Sequence, residues 1–182
     1  MSGRLVIVGG APGTGKTTLA HALGASLELP VITKDDVKEA LAAPFTTGDY
    51  EWSRQLGVAA YSVAYAVAER ILSAGQGLVF ESNFRCGISD QPLQALRRLA
   101  PTVVIVCRAP DALRRQRFEE RAARGRHRVH IDSAILAAWK SDDAEYLIDI
   151  GAPRLIVETT NGYAPDYAQV TSFARGATVP ME

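Results

Sequence analysis

The sequence contains few of the residues that build metal or disulfide sites. Only 2 of its 182 residues are cysteine, and Cys86 and Cys107 lie outside any metal-ligand spacing. No signal peptide precedes the first apolar run. We therefore expect a protein of the reducing cytoplasm in which both thiols are structural.

Excess charge and long apolar runs are also absent. Lys and Arg together number 20, as do Asp and Glu, so the net charge gives no general attraction to nucleic acid or to an anionic membrane. The runs Leu78–Phe80 and Val103–Val106 are far too short to cross a bilayer, which excludes a membrane protein. With 47% hydrophobic and 22% charged residues, the composition predicts one folded domain over residues 1–182.

A glycine-rich segment near the start of the chain is the most informative feature. Gly10–Thr17 fits the phosphate-binding pattern G-x-x-x-x-G-K-[ST]. The apolar run Leu5–Val8 precedes it and predicts a buried strand, while Leu19, Leu23 and Leu27 follow it at helical spacing. The motif therefore lies at a strand-to-helix corner. The residues predicted to bind a nucleotide are Gly10, Ala11, Pro12, Gly13, Thr14, Gly15, Lys16, Thr17 and Thr18.

The residue types in this segment suit contact with phosphate. Glycines allow backbone N–H groups to turn toward phosphate oxygens, and the start of the following helix adds a positive end. Lys16 would reach the β- and γ-phosphates, and the Thr17 hydroxyl is the expected ligand of Mg²⁺. The pattern thus predicts a site for a magnesium nucleotide. The alternative is a glycine-rich turn with a surface lysine.

Apolar runs alternate with helical patterns along the rest of the chain, which predicts a parallel sheet covered by helices on both faces. The clearest helix spans about 50–74, where Val63, Val67 and Ile71 mark one face. Other helices are predicted to follow Asp35, Asp90, Asp111, Asp132 and Pro165, with Asp at several N-caps. The predicted strands are Leu5–Val8, Pro30–Thr33, Leu78–Glu81, Val103–Cys107 and Arg154–Glu158.

Polar residues follow the second and third predicted strands, at the edge of the sheet where ligands bind in such folds. Asp35 is the predicted base that accepts the proton of an attacking hydroxyl, and Asp36 is predicted to cap the helix, although both could serve as caps alone. Glu81 is a candidate Mg²⁺ ligand, with packing or capping as the alternative. Asn83 and Arg85 lie just beyond, where they would bind a polar or anionic group of the substrate.

One segment holds 8 of the 20 basic residues, and all of them are arginine. This choice favours planar, multidentate contact with phosphate. The alternative is a solvated helix paired with Glu119 and Glu120, which we expect for Arg114 and Arg115. The eight residues are Arg108, Arg114, Arg115, Arg117, Arg121, Arg124, Arg126 and Arg128.

Part of this arginine-rich segment is predicted to form a lid. Arg117, Arg121 and Arg124 fall at helical spacing on one face, and Gly125 then frees the chain to become a mobile loop. A lid over about 121–131 would close over the γ-phosphate, bring in positive charge and exclude water.

Together these segments resemble a branch of the P-loop kinases that includes polynucleotide 5'-hydroxyl kinases, zeta-type toxins, gluconate kinases and chloramphenicol phosphotransferases. The resemblance covers residues 4 to about 128 and rests on Gly10–Thr18, Lys34–Asp36, the strand ending at Glu81 and Arg117–Arg126. It implies a three-layer α/β P-loop NTPase fold, with a five-stranded parallel sheet in the order 2-3-1-4-5, and ATP with Mg²⁺ as the phosphoryl donor.

The resemblance also implies roles for single residues. Asp35 matches the base that activates the acceptor hydroxyl, and Arg121 and Arg124 match the lid arginines. Lys38 takes the place of an arginine that contacts the acceptor phosphate in polynucleotide kinases. The loop 159–162 would lie near the base of the nucleotide.

The leading hypothesis is an ATP-dependent phosphotransferase acting on a hydroxyl of a small molecule. Its acceptor pocket would be walled by a helical insertion at about 44–74, although the polar and aromatic residues there also suit core packing. Those residues are Trp52, Arg54, Gln55, Tyr61 and Tyr65.

Two alternatives remain open. One is a polynucleotide 5'-hydroxyl kinase, which the neutral charge balance disfavours, so no nucleic-acid partner is expected. The other is a nucleotide-dependent switch or ATPase that acts through an unidentified protein partner and has no acceptor hydroxyl to activate.

Overall fold

Five parallel strands form the centre of the computed structural model, which describes residues 3–46, 48–124 and 129–176. Their order across the sheet is β2-β3-β1-β4-β5, as predicted. The observed bounds differ from the predicted ones by two residues at most. The strands are β1 (Leu5–Gly10), β2 (Val31–Thr33), β3 (Leu78–Glu81), β4 (Thr102–Arg108) and β5 (Arg154–Glu158).

Helices connect the strands and cover both faces of the sheet. A short 3-10 helix, Ala144–Tyr146, precedes β5. In the described residues, none of the helices has the length and apolar character needed to cross a membrane. The α-helices are α1 (Lys16–Leu27), α2 (Lys34–Ala42), α3 (Tyr50–Ser73), α4 (Asp90–Arg97), α5 (Asp111–Ala123), α6 (Asp132–Ala137) and α7 (Tyr167–Ala174).

The two faces of the sheet build two hydrophobic cores. Successive side chains of a strand point to opposite faces, so Leu5 and Ile7 pack with α3 and α4 while Val6 and Val8 pack with α1 and α7. All four are fully buried, because helices lie on both sides of β1. A strand that is buried on both faces has a continuous run of apolar residues, and for this reason β1 could be predicted from the sequence.

The caps of two helices are aspartates, but they are not the predicted ones. Asp49 and Asp166 cap α3 and α7 through their carboxylates. Asp90 and Asp111 instead fall in the first turn of their helices, after Ser89 and Pro110 respectively. In that position a carboxylate interacts with the positive end of the helix without occupying the cap.

At α2 the predicted cap was also wrong. Thr33, the last residue of β2, has an extended backbone, and its side-chain oxygen accepts a hydrogen bond of 3.0 Å from the backbone N–H of Asp36. Thr33 therefore fills the cap position. The Asp35 and Asp36 carboxylates both lie in the first turn of α2.

The face of α3 that packs on the sheet is made of small residues, not of the valines that the sequence indicated. Val63 and Val67 are 41% and 43% exposed. The buried side chains are one residue further along at each turn, and those of the middle of the helix are alanine. They are Ala60, Ala64, Ala68 and Leu72.

Candidate functional site

The segment Gly10–Thr17 forms the turn between β1 and α1, as predicted. Gly13 has φ of +81°, and a Cβ atom on it would collide with the backbone of Arg114, so this position requires glycine. The buried Thr14 hydroxyl donates to the carbonyl oxygen of Ala11 at 2.9 Å. A hydrogen bond within the loop and close packing against Arg114 thus hold the loop in this shape.

The start of α1 is open to an anion. Its N-cap is Gly15, which has no side chain to accept a hydrogen bond from the first N–H groups. Helix N-termini of this kind bind phosphate through those groups and the helix dipole. The loop and the helix start therefore fit the phosphates of a nucleotide.

Lys16 lies inside this turn with loose contacts. Its Nζ donates to the Ala11 oxygen at 3.4 Å and lies 4.0 Å from Oε1 of Glu81. Burial lowers the pKa of the Lys16 ammonium, and the carboxylates of Glu81 and Asp35 act in the opposite direction. A phosphate beside Lys16 would supply the closer negative partner that a buried ammonium needs.

The two predicted Mg²⁺ ligands lie side by side. The Thr17 hydroxyl donates to Oε2 of Glu81 at 3.1 Å. Burial raises the pKa of the Glu81 carboxyl, and the Lys16 ammonium opposes that change. In the described residues no three His, Cys, Asp or Glu side chains cluster to hold a metal. A pair of oxygen ligands nevertheless fits Mg²⁺, which keeps several waters and binds substrate phosphates.

Asp35 is brought to the same place by the sheet. Thr33 at the end of β2 pairs with Glu81 at the end of β3, so the first turn of α2 lies next to the predicted Mg²⁺ ligands. The Lys34 ammonium contacts Oδ1 of Asp35 at 3.2 Å and lies 5.5 Å from the centre of the Tyr61 ring. Asp36 is exposed and does not line the cavity described next.

One cavity of about 710 Å³ joins these groups. Lys16 and Thr17 line one end of it, and α3 forms much of its wall. The predicted substrate residues line it as well. They are Asp35, Lys38, Asn83 and Arg85, with Arg54, Tyr61 and Tyr65 of the predicted acceptor wall.

Several other predicted residues do not line this cavity, and Glu81 is one of them. Trp52 and Gln55 lie on α3 away from the lining, and Gln55 donates to Glu51 on the helix surface at 3.3 Å. Arg124 is exposed at the end of α5. Arg121, one turn earlier, does line the cavity, with its guanidinium carbon 5.1 Å from the centre of the Phe118 ring.

Lys38 is buried and takes part in a polar chain that sequence reasoning missed. Its Nζ donates to Oγ of Ser53 at 2.8 Å, and that hydroxyl donates to the Val129 carbonyl oxygen at 2.6 Å. His130 then contacts Oε1 of Glu39 at 2.9 Å. These contacts fasten the last residues of the predicted lid to α2 and α3, and no local pattern links positions so far apart.

Described arginines of the segment bind acidic side chains or backbone carbonyl oxygens. Arg108 forms a two-pronged pair with Asp143, and Arg115 pairs with Glu119 as expected. Arg117 donates to the carbonyl oxygen of Thr159 at 2.7 Å. Arg126 and Arg128 lie outside the described residues, so the lid over about 121–131 remains a prediction.

Arg114 is the clearest exception to the sequence prediction. It was expected on a solvated face, but only 1% of it is exposed. Its Nη2 donates to Asp111 at 2.9 Å and to the Ser141 carbonyl oxygen at 2.7 Å, and its guanidinium lies over the ring of Trp139. A paired and stacked guanidinium tolerates burial in a way that sequence spacing does not reveal.

The loop after β5 is joined to the phosphate-binding turn. The Thr159 hydroxyl lies 2.7 Å from the Thr14 carbonyl oxygen and 3.0 Å from that of Arg108. Arg117 holds the same loop from α5. The predicted position of 159–162 near the nucleotide base is consistent with this placement and remains a prediction.

Comparison with known families agrees with this geometry. The sequence profile of an AAA domain family, AAA_33, matches residues 5–145, which include the phosphate-binding turn, α2, α3 and the arginine segment. The chain belongs to this AAA domain family.

Curated relatives of this AAA domain are longer proteins. This chain is 31% identical over 165 residues to the uncharacterized protein Rv2004c of Mycobacterium tuberculosis strain H37Rv. The match covers 83% of this chain and 32% of that protein. The chain thus spans about a third of the length of the curated relatives it matches.

Solved structures place the AAA domain among the P-loop kinases, as the sequence predicted. A protein from Chloroflexus aurantiacus J-10-fl, assigned as a kinase, has a TM-score of 0.82 and 32% identity, covering 98% of this chain and 100% of its own. The APS kinase CysC of Mycobacterium tuberculosis, solved with AMPPNP and APS, has a TM-score of 0.61 at 15% identity, covering 97% and 99%. At that identity, the second likeness shows a shared fold.

Proposed function

We propose that this chain transfers the γ-phosphoryl group of ATP to a hydroxyl of a small molecule. The observation that carries the proposal is one cavity lined both by Lys16 and Thr17 at the phosphate-binding turn and by Asp35 at the start of α2. A phosphate donor and an acceptor hydroxyl can therefore meet in one enclosed space. The assigned kinase from Chloroflexus, and the APS kinase solved with AMPPNP, support a nucleotide as donor.

The residues would act mainly by positioning charge. Lys16 and the N–H groups at the start of α1 would bind the β- and γ-phosphates, and Arg121 would stabilise negative charge on the transferred group. Thr17 and Glu81 would hold Mg²⁺, which would neutralise charge on the phosphate oxygens.

Asp35 would orient the acceptor and accept its proton. Lys34 contacts the Asp35 carboxylate from one side, which fixes its position in the first turn of α2. The acceptor oxygen then attacks the γ-phosphorus, and the bond to the β-phosphate oxygen breaks. Arg124 does not line the cavity, and its catalytic role remains a prediction.

The matched test compares Asp35→Asn with Asp36→Asn. Both changes remove one carboxylate from the first turn of α2, but only Asp35 lines the cavity. With ATP labelled at the γ-phosphate, Asp35→Asn should lower phosphotransfer by about 10²-fold or more, the range of general-base catalysis. Nucleotide affinity should stay near that of the unaltered protein, and Asp36→Asn should retain transfer.

Other results would point elsewhere. Equal transfer by both variants would show that Asp35 is not the base. Label appearing on a 5'-hydroxyl oligonucleotide would favour a polynucleotide kinase. Release of inorganic phosphate alone, at the same rate in all three proteins, would favour a switch or ATPase.

A further inference from the structure

Part of the mouth of the cavity is apolar. Val58 on α3 and Ile88 in the loop before α4 both line it, and they are 61% and 71% exposed. Tyr50 and Ile135 also line it and are exposed. Among the described residues, eight large hydrophobic side chains are exposed. Four of them line this one cavity. Exposed apolar surface grouped around a concave site is typical of ligand binding.

Three of the cations that line the cavity already lie beside acids of the protein, and the buried Lys38 donates to Ser53. Arg54 forms two hydrogen bonds of 2.9 Å with Glu51, and Lys34 contacts Asp35 at 3.2 Å. Arg85 lies 3.8 Å from Glu145. A phosphate or carboxylate on the acceptor would have to compete with these acidic partners, which makes this wall a poor site for a second anion.

Uncharged polar groups lie deeper in the wall. Oδ1 of Asn83 is buried and has no hydrogen-bond partner among the described residues, and the buried Tyr65 hydroxyl lies near Ser89. Both residues line the cavity. A buried acceptor without a partner is rare, and a ligand O–H or N–H group that reached Asn83 would satisfy it.

We propose that the acceptor is a neutral, amphipathic alcohol, and this inference rests on the proposed phosphotransfer. Its reacting hydroxyl faces Asp35, a further O–H or N–H group bonds to Asn83, and its apolar part lies against Val58 and Ile88. The hydroxyl oxygen forms the new bond to the γ-phosphorus, its proton passes to Asp35, and ADP leaves with the electron pair of the broken bond. A cavity of about 710 Å³ has room for such a molecule beside a γ-phosphate.

The first test uses small molecules from a protein-free cell extract. Anion exchange separates the charged molecules, and a reversed-phase column then divides the neutral ones into retained and unretained pools. Each pool is incubated with the protein and γ-labelled ATP, with Asp35→Asn as the control. Labelled product is expected from the neutral, retained pool.

The other outcomes separate this inference from the function on which it rests. A labelled product formed mainly from the anionic pool, or from the neutral unretained pool, would overturn the amphipathic acceptor and leave phosphotransfer standing. Label found only as inorganic phosphate with every pool would overturn both.

The second test compares two identical substitutions on one helix. Val58→Asp places a carboxylate at the cavity mouth, whereas Val63→Asp places it on the outer face of α3, away from the lining. Both valines are exposed, so folding should be retained in both variants. For the acceptor found in the first test, Val58→Asp should raise KM by about tenfold or more and leave kcat and the KM for ATP within twofold.

Val63→Asp should leave all three constants unchanged. Ile88→Asp, in the loop before α4, provides a repeat that does not depend on α3 and should raise the same KM. Unchanged acceptor KM in both the Val58 and the Ile88 variants would overturn the proposed apolar contact.

Discussion

The guanidinium of Arg114 lies in the interior, between α5 and the residues that follow α6. It donates to Asp111 and to the carbonyl oxygen of Ser141, and Trp139 donates from its ring nitrogen to the same Asp111 oxygen at 2.9 Å. The backbone of Arg114 also packs against Gly13, and it would collide with a Cβ atom at that position. A charged side chain thus fixes the part of α5 against which the phosphate-binding turn rests.

Replacing Arg114 should therefore cost stability. Arg114→Ala removes a buried side chain together with its hydrogen bonds to Asp111 and to the Ser141 carbonyl oxygen, and the loss of a hydrogen bond to a charged group costs about 1.5–3 kcal/mol. Arg115→Ala, the neighbouring change, removes an exposed pair with Glu119 and should cost about 0.5 kcal/mol or less. Urea unfolding of both variants measures the difference. Equal losses would show that the buried contacts of Arg114 contribute nothing beyond an exposed pair.

Among elements, α3 depends on small side chains for its position. Its alanines at 60, 64 and 68 are fully buried against the core that includes Leu5 and Phe80. Small residues let the helix lie close to the sheet, and this places Tyr61 and Tyr65 at the cavity. The same packing leaves the valines on the outer face.

A larger side chain on the inner face should push α3 away from the sheet. Ala64→Leu should destabilise the protein by about 1–3 kcal/mol, the usual cost of overfilling a packed core. Ala66→Leu, on the exposed side of the same helix, should change stability by no more than about 0.5 kcal/mol. Thermal unfolding of the two variants checks this. A smaller loss for the inner variant would mean that space remains between α3 and the sheet.

This helix also shows where sequence reasoning ends. The valines at 63 and 67 and the alanines at 64 and 68 recur with the same spacing, one residue apart. Periodicity therefore predicts a helix but does not decide which stripe faces inward, and ranking by hydrophobicity favours valine. The helix itself was predicted to within one residue, at 50–73 against 50–74.

For the whole molecule, the strands and the polar residues at their ends were predictable because they depend on local signals, whereas the strand order was implied by the resemblance to P-loop kinases. Strands buried on both faces give continuous apolar runs, and polar residues such as Asp35 and Glu81 follow where the runs end. Contacts between distant segments were not predictable. The chain from Lys38 through Ser53 to Val129 arises only when the fold brings three segments together.

Nucleotide binding should stabilise the folded chain as a unit. A ligand at 100 times its Kd adds about 2.7 kcal/mol, which for a domain of this size raises Tm by about 5–10 °C. ATP with Mg²⁺ should give such a shift, and Lys16→Ala should abolish it, while Asp35→Asn should keep it. Differential scanning fluorimetry measures these shifts against each variant without ligand. A full shift in Lys16→Ala would contradict the assigned phosphate site.

The hydroxyl of Thr159 contacts both the turn at Thr14 and the end of β4 at Arg108. Thr159 lies 145 residues along the chain from Thr14. The loop after β5 therefore supports the phosphate-binding loop in the folded protein. The conformational entropy of this loop is lost when the protein folds, so the loop does not have to become ordered when the nucleotide binds. The association rate would then reflect diffusion and docking orientation, with no slow ordering step from this part of the site.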